Sequence, residues 1–510
     1  MNIRSMYPVL FVTVGLAIMT SVAYSQGPLD GLRLTTNPLS TGTRSMAMGD
    51  AMIAATNDYS ALAYNPAALT LLEHGELGLS IYFKNYSSSA QFLGNTSSND
   101  ISNAVPFSFG YASPIETTQG HLAVGISLDR VADFTSTYKF KAVNPSSSLF
   151  DTRGFVDDPG KKQRTISDYE NDLLFNNLAY SLFLTYGVDS LTPYLTTPFT
   201  GGLEQSGTVT QEGGINAFRI GTGIDVAENI AVGATINFMF GSYNYRRNYT
   251  ETDINNVFSR TDSTNPNGFM SAEIVDSRTQ SLSGINLKLG LYTQPDEHIH
   301  FGLTFETPTL YSIDDQFSRY GTSSFNYGVS YDSRADYNDY NPVQNSIVNS
   351  YSVTTPLKFG VGAAYSNWGL TIAASADYTD YSQLRFSDGY SSLEDLNDFA
   401  RESLRPVLHW NLGAEYFIKP IGLLLRGGYA VTPSPFKGDP SSYDPKTLSG
   451  GLGLLLSKSA MLELSYQRSS YSTLHTLYDD KTINGTQVSA VIDNDDVISS
   501  AFALSFSFRF

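Results

Sequence analysis

The sequence predicts an all-β membrane protein: an antiparallel transmembrane barrel of fourteen strands with an N-terminal hatch inside its lumen. Three observations lead to this prediction. Only 16% of the 510 residues are charged, while 13% are aromatic. After the N-terminus, no apolar run is long enough to cross a bilayer as a helix. Instead, apolar and polar residues alternate over many short segments, the pattern of strands that turn one face to lipid and the other to a lumen.

The first 25 residues have the pattern of a secretory signal peptide. Arg4 precedes an apolar run from Val9 to Met19, and small residues follow at Ala23 and Ser25. We expect cleavage before Gln26. The alternative is a transmembrane helix, but that would need a longer apolar run to span about 30 Å of hydrocarbon.

The alternating segments come in pairs joined by short turns, most of which contain Gly, Pro, Asn or Asp, the residues that adopt turn conformations readily. Adding a terminal strand gives an even number, which leaves both chain ends on the same side of the membrane. The predicted strands centre on residues 77–83, 105–111, 122–128, 218–226, 230–240, 285–291, 299–305, 357–365, 370–378, 408–416, 421–425, 448–456, 462–466 and 502–510.

Long polar segments, such as 246–280 and 312–350, alternate with the short turns. Outer-membrane barrels have short periplasmic turns and long extracellular loops, whereas a soluble β-sandwich has no reason for this asymmetry. We therefore place the long segments outside. The apolar stretch Leu178–Val188 would make the strand number odd, so we assign it to the extracellular excursion 133–212, as a helix or cap.

The last strand ends on Phe510, after an alternating row of apolar residues. This ending resembles the terminal signal of bacterial outer-membrane barrels. It implies that the barrel assembly machinery recognises the chain. It also implies a final location in the outer membrane, in contact with lipid and lipopolysaccharide.

Residues 26–72 contain no strand-like alternation and are rich in small residues. Asn65 is a suitable helix cap, and Pro66 suits a first helical turn. A fourteen-stranded barrel is wider than those whose wall side chains fill the lumen. We therefore predict that this segment plugs the barrel, starting from the periplasmic mouth. The barrel would then comprise residues 73–510.

Three short motifs in this segment resemble the N-terminal hatch of the FadL/TodX-type transporters, which are outer-membrane channels for long-chain fatty acids and other hydrophobic compounds. They are Met46–Ala51, which contains Gly49, the pair Asn57-Asp58, and the run Asn65-Pro66-Ala67-Ala68-Leu69. The resemblance implies a monomeric barrel, a hatch, and passive uptake of an apolar ligand with release into the bilayer. It also implies an inward kink of the third strand, which the sequence does not locate because Gly120–Val131 contains no proline.

Composition and motifs exclude several other functions. The formal net charge of −18 argues against a nucleic-acid partner, and the absence of cysteine excludes disulfides and thiolate metal sites. No nucleophile-elbow pattern accompanies the six histidines, so we predict no enzyme and no cofactor. His298 and His300 lack the further ligands of a metal site. The acidic loops, with Asp157 and Asp495, are better read as solvated than as Ca²⁺ sites.

The candidate ligand-binding residues leave two alternatives open. The charges on the strands, including Arg219 and Lys358, face the lumen, because a Lys or Arg on the lipid face costs about 2–4 kcal/mol. They either brace the hatch or meet a ligand carboxylate. The apolar loop residues, including Phe183 and Leu184, either form an external capture groove or pack the loops together.

Three other functions compete with uptake of a hydrophobic molecule. FadL-like barrels with a similar hatch also act as anchors or shuttles for secreted proteins, and binding of a protein partner would identify that function. A general porin would need an open polar lumen and usually trimers, which the predicted hatch disfavours. A barrel enzyme would lose hydrolysis when one Ser or His is replaced.

Overall fold

The computed structural model describes residues 28–35, 39–150, 201–258, 268–326, 330–332, 346–389, 393–483 and 486–510, together with a few positions between 178 and 199. The predicted signal peptide, residues 1–25, lies outside the described residues. Among the residues described, no helix is both long and apolar enough to span a membrane.

The described strands form a closed antiparallel barrel of fourteen strands, in agreement with the sequence prediction. Pairing of the first strand with the last, from Glu76 opposite Arg509 to Gln91 opposite Asn494, closes the barrel. The strands are β1 Glu76–Phe92, β2 Asn95–Ile115, β3 Leu122–Asp133 with Ser136–Asn144, β4 Leu203–Ala227, β5 Ile230–Thr252, β6 Phe269–Thr293, β7 Ile299–Glu306 with Leu310–Phe325, β8 Ser346–Thr354 with Lys358–Asn367, β9 Leu370–Asp380 with Arg385–Ser387, β10 Pro406–Ile418, β11 Leu423–Val431, β12 Lys446–Leu455, β13 Ala460–Ile483 and β14 Thr486–Arg509.

The two faces of the wall follow the alternation of the sequence. On β14, Phe502, Leu504 and Phe506 are 43–52% exposed on the outer face, whereas the intervening Ala503 and Ser505 are buried inside. The outer row is the surface that lipid would cover, and the inner row carries small and polar side chains. The period-2 assignment of these strands is therefore confirmed.

Two neighbouring strands are interrupted at the same height by proline. β7 breaks at residues 307–309 and β8 at residues 355–357, which contain Pro308 and Pro356. Proline cannot donate to a strand ladder, so threonine side chains bridge the breaks. The Thr309 amide donates to Thr355 Oγ1 at 2.9 Å, and the Leu287 amide donates to Thr307 Oγ1 at 3.0 Å.

The described residues of the stretch Leu178–Val188 are not part of the wall, as expected. Its described residues Leu178, Leu182 and Leu184 are buried, and Tyr186–Gly187 pairs with Leu195–Thr196 in a separate two-stranded sheet. The rest of the stretch lies outside the described residues.

Besides the single-turn 3-10 helices Tyr381–Gln383, Lys419–Ile421 and Ser441–Tyr443, the described residues include five short helices. The N-terminal segment contains α1 Pro28–Arg33, α2 Thr43–Ala47, α3 Ala61–Tyr64 and the 3-10 helix Pro66–Leu71. The fifth, α4 Leu393–Ser403, lies between β9 and β10.

The start of the described N-terminal segment lies deep inside the barrel, not at the periplasmic mouth as the sequence suggested. Asp30 of α1 pairs with Arg278 of β6 at 3.1 Å, and Tyr351 of β8 donates to Asp30 at 3.2 Å. Arg278 precedes the end of β6 at Thr293 by fifteen residues, about 50 Å of strand. Strand parity sets the side on which the wall begins, but not the path of the chain before the wall.

Candidate functional site

Residues 39–72, here called the inner segment, pack directly against the inner face of the wall. The contact is backbone to backbone: a Cβ added to Gly428 would lie 2.2 Å from the Gly49 nitrogen, and one added to Gly413 would lie 2.4 Å from the Met48 oxygen. Glycines at which an added Cβ would come within 3.0 Å of the inner segment form a belt on β1, β2, β4 to β8 and β10 to β12. They are Gly78, Gly110, Gly221, Gly223, Gly233, Gly290, Gly302, Gly360, Gly362, Gly413, Gly428 and Gly451.

The residues predicted as the hatch motif lie at the centre of this contact. Asn65 Oδ1 accepts a hydrogen bond from the Ala67 amide at 3.2 Å, which caps the 3-10 helix that begins at Pro66. Asn65 Nδ2 donates to the carbonyls of Ile53 at 3.0 Å and Leu291 at 3.1 Å. One side chain therefore ties two parts of the inner segment to β6.

Gly49, the other residue of that motif, adopts a left-handed conformation with φ of 61°. A Cβ at this position would lie 2.8 Å from the backbone nitrogen of Tyr429. Both the backbone conformation and the lack of space therefore require glycine there.

Arg44 is a residue that the sequence analysis did not single out. Its Nε donates to Glu415 Oε2 at 3.0 Å and its Nη2 donates to Glu415 Oε1 at 3.1 Å. Its Nη1 donates to Asn57 Oδ1 at 2.9 Å. A signal existed in the sequence, because Arg44 is the only Lys or Arg between Arg33 and Lys84.

The Arg44 contact belongs to a longer ionic network on the wall. Glu415 of β10 also accepts from Arg426 of β11 at 2.6 Å, and Arg426 donates to Glu463 of β13 at 2.6 Å. A cavity of about 200 Å³ adjoins this network, between the inner segment and the short-turn ends of the strands. Its charged lining residues include Arg44, Asp58, Glu76, Glu415, Arg426, Glu463 and Arg509.

The structure places Arg219 and Lys358 in different surroundings. Arg219 is buried, its guanidinium is paired with Asp129 of β3, and it donates to Asn237 Oδ1 at 3.1 Å. Lys358 is half-buried and stands opposite Glu306 in the pairing of β7 with β8. Both therefore sit among lumen carboxylates, and neither is placed beside the other.

The backbone ladder between β2 and β3 ends part-way along the two strands, and the interval without this ladder is called the opening. These strands pair from Ile115 opposite Leu122 only as far as Ser108 opposite Asp129. Beyond that point, β2 remains paired with β1 up to Asn95, and β3 remains paired with β4. The interval of β2 from Asn95 to residue 107 thus has a ladder on one side only.

The upper part of β3, Ser136–Asn144, turns behind the hairpin formed by β1 and β2. Phe140 packs edge-on against Phe92 with ring centroids 5.6 Å apart, and Asn99 Nδ2 donates to Thr137 Oγ1 at 2.7 Å. The break between the two parts of β3 lies at residues 134–135, after the proline-free stretch Gly120–Val131.

A proline does mark the opening, but on the neighbouring strand. Pro106 stands at the start of the interval of β2 that is not paired with β3.

The two loop residues predicted to capture ligand do not form one surface. Leu184 is fully buried in a cluster with Phe140, Tyr249 and Phe269, whereas Phe183 is 49% exposed. For Leu184 the structure therefore agrees with the packing alternative. Of the other apolar loop residues, Phe150 and Leu182 are also buried, whereas Phe155 and residues 173–175 lie outside the described residues.

Comparison with known proteins gives a match to the BamG family model over residues 196–407. No curated protein matches the chain. Among solved structures, a FadL homologue from Pseudomonas aeruginosa is similar, with 13% sequence identity over 92% of this chain and 99% of that one and a TM-score of 0.55. The toluene transporter TodX from Pseudomonas putida is similar, with 12% identity over the same shares and a TM-score of 0.53. At these identities the likeness concerns the fold, and the chain has the fold of the FadL-type barrels.

Proposed function

We propose that this chain is an outer-membrane channel through which hydrophobic small molecules pass by diffusion. The observation that carries the proposal is the opening between β2 and β3. Ile81 and Phe83 of β1 are outward, exposed apolar residues, and they pair with Pro106 and Ala104 of β2. The opening begins at a height where the outer face is apolar, so a molecule that passed through it would enter the hydrocarbon region directly.

The inner segment would act as the hatch of this channel. It contacts the glycine belt around most of the barrel, so a molecule moving along the axis must displace it, whereas a molecule using the opening reaches the bilayer sideways. Transporters with a similar fold include one named for toluene. The same route suits fatty acids, whose carboxylate would then compete with Asp129 for Arg219.

The absence of cysteine in the natural chain makes a disulfide test direct. The contact between Asn99 and Thr137 spans the opening, so the double variant Asn99→Cys, Thr137→Cys should fasten β2 to the upper part of β3. A matched pair, Asn85→Cys with Ser102→Cys, joins directly opposed residues of β1 and β2 and leaves the opening free.

Under oxidising conditions, cells with the Asn99→Cys, Thr137→Cys variant should take up labelled dodecanoate or toluene more slowly than cells with the matched pair. A reductant should remove this difference in uptake rate. Uptake by the oxidised first variant at the rate of the matched pair would contradict the lateral route.

The second candidate function is binding of a protein partner, as an anchor or shuttle for secreted proteins or as a companion of the barrel assembly machinery. The match to the family model named BamG favours it. The inner segment is also in close contact with the wall, which suits a barrel that binds a partner on its surface rather than one that conducts molecules through its lumen. Affinity purification from outer membranes is the discriminating experiment: barrel assembly components recovered in fixed proportion, with unchanged toluene uptake in cells lacking the chain, would support this second function.

A further inference from the structure

Buried side chains hold β2 and β3 together at the end of the opening that is nearer the short turns. At the last paired position of β2 and β3, the Ser108 hydroxyl donates to Asp129 Oδ1. The Ser127 hydroxyl donates to Asp129 Oδ2 at 2.5 Å, and Arg219 of β4 pairs with the same oxygen. Asp129 is only 1% exposed. The backbone ladder between β2 and β3 and this side-chain cluster therefore end at the same residue pair, Ser108 and Asp129.

The inner segment contributes the next link. The Tyr59 hydroxyl lies 2.9 Å from Ser108 Oγ. A carboxylate only accepts hydrogen bonds and a serine hydroxyl has a single proton. Because Ser108 gives that proton to Asp129, Tyr59 must be the donor to Ser108. The chain of donors thus runs from Tyr59 through Ser108 to Asp129.

The ring of Tyr59 is also held by β1 and β2. A Cβ added to Gly78 would lie 2.2 Å from this ring, and one added to Gly110 would lie 2.0 Å from it. The ring fills the space that these two glycines leave, so Tyr59 cannot stay in place when the inner segment moves away from the wall.

We propose that Tyr59, Ser108 and Asp129 couple the position of the inner segment to the length of the opening. Withdrawal of Tyr59 removes the donor to Ser108 and the ring above Gly110, which weakens the last pair of β2 and β3. The next inward residues, Gly110 and Ala112, have almost no side chain to hold the strands, so the opening extends toward the short-turn end. This inference rests on the proposed function and concerns its regulation.

The first test needs no ligand. Tyr59→Phe keeps the ring and removes the hydroxyl, and Ser108→Ala removes the same link from the wall. The control is Tyr64→Phe, a second tyrosine of the inner segment, whose hydroxyl donates to Asp50 at 2.5 Å within the segment itself. Amide hydrogen exchange of residues 108–112 is measured in bilayer-reconstituted protein.

We expect exchange at these amides to be about five- to tenfold faster in Tyr59→Phe and in Ser108→Ala, the factor that corresponds to one buried hydrogen bond. Tyr64→Phe should leave them unchanged. Wild-type protection in both of the first two variants would overturn the coupling, and so would equal acceleration in Tyr64→Phe, which would indicate general loosening.

A second measurement separates this inference from the proposed function. Toluene uptake should rise in Tyr59→Phe and fall again when that variant also carries the oxidised Asn99→Cys, Thr137→Cys pair. Faster exchange without any change in uptake would leave the coupling intact and contradict the channel function. Increased uptake with unchanged exchange would contradict the coupling alone.

Discussion

Arg44 and Glu415 are separated by 371 positions in the chain, yet they form a two-point ion pair that joins the inner segment to β10. Both side chains are about one-tenth exposed. A paired geometry with two parallel N–H···O bonds is the strongest form of this contact. It makes Arg44 the main ionic attachment of the inner segment to this part of the wall.

Replacing Arg44 by Gln should therefore loosen the inner segment. Glu415 keeps Arg426 as a partner, so we expect a loss near the lower end of the range for broken buried pairs, about 3 kcal/mol. The barrel should still insert, but its conductance in planar bilayers should rise. The matched control is Arg401→Gln, which removes an exposed pair with Asp398. If the conductance of Arg44→Gln stays as low as that of the wild type, then the other contacts are sufficient to hold the inner segment.

Asn65→Ala should cost more than a helix cap alone. Loss of the cap costs about 1 kcal/mol, and the Asn65 amide also donates to Ile53 and Leu291. We expect a total of about 2–4 kcal/mol because two buried carbonyls lose their donor. Limited proteolysis should cut the inner segment of this variant faster. Asn367→Ala, at an exposed turn, serves as the control and should behave like the wild type.

The fold was predictable where the information is local. The alternation from Phe502 to Phe510 predicts which side chains are exposed and which are buried, because successive side chains of a strand point to opposite faces. The same reasoning applied to each hairpin yields the strand number. The Asn65 cap was also predictable, because the capping residue and the helix it caps are adjacent in sequence.

The remaining features depend on partners far apart in sequence. The opening between β2 and β3 is visible only in their pairing, since each strand is well formed with its other neighbour. The roles of Arg44 and Tyr59 depend on Glu415 and Ser108, and no local pattern connects these residues. The position of α1 beside Arg278 and Tyr351 is likewise determined by contacts inside the lumen, which the local sequence does not predict.

The inner segment should be held more tightly in mild acid. Burial raises the pKa of Asp50 to about 6, and hydrogen bonds from Tyr64 and Ser40 oppose the rise only in part. In the unfolded chain the same group titrates near about 3.9. The folded form thus retains its proton at higher pH, and the stability linked to that proton is lost between about pH 4 and 6.

After correction for intrinsic rates, amide exchange of residues 48–56 should therefore be slower at pH 5 than at pH 7.5. The corresponding gain in local stability is at most about 2 kcal/mol. Asp50→Asn should remove most of the dependence. A tighter inner segment at pH 7.5 would invert the sign and contradict the assignment to Asp50.

The terminal aromatic residue should matter for assembly. Phe510 exchanges backbone hydrogen bonds with Gly75 at 3.0 and 3.2 Å, and its ring stacks on Tyr111 with centroids 6.1 Å apart. Phe510→Ala should lower the amount of inserted protein. Arg509 pairs with the buried Glu76 at 2.9 Å, so Arg509→Gln should cost some stability without blocking insertion. A stronger insertion defect in Arg509→Gln than in Phe510→Ala would contradict this order.

Deleting residues 30–70 should convert the closed barrel into a conducting one. The ladders of the wall run between strands and not to the inner segment, so the barrel should still form and insert. The wall facing the deleted segment carries the glycine belt, which has no side chains to fill the vacated space, and fourteen strands enclose more than wall side chains can occupy. The deletion also leaves Glu415 with Arg426 as its ionic partner, so no isolated buried charge results on that side. Conductance in planar bilayers should therefore rise from near zero to a steady open level. An intact barrel that already conducts as well as the deletion would mean that the inner segment does not close it, and the channel proposal would lose its hatch.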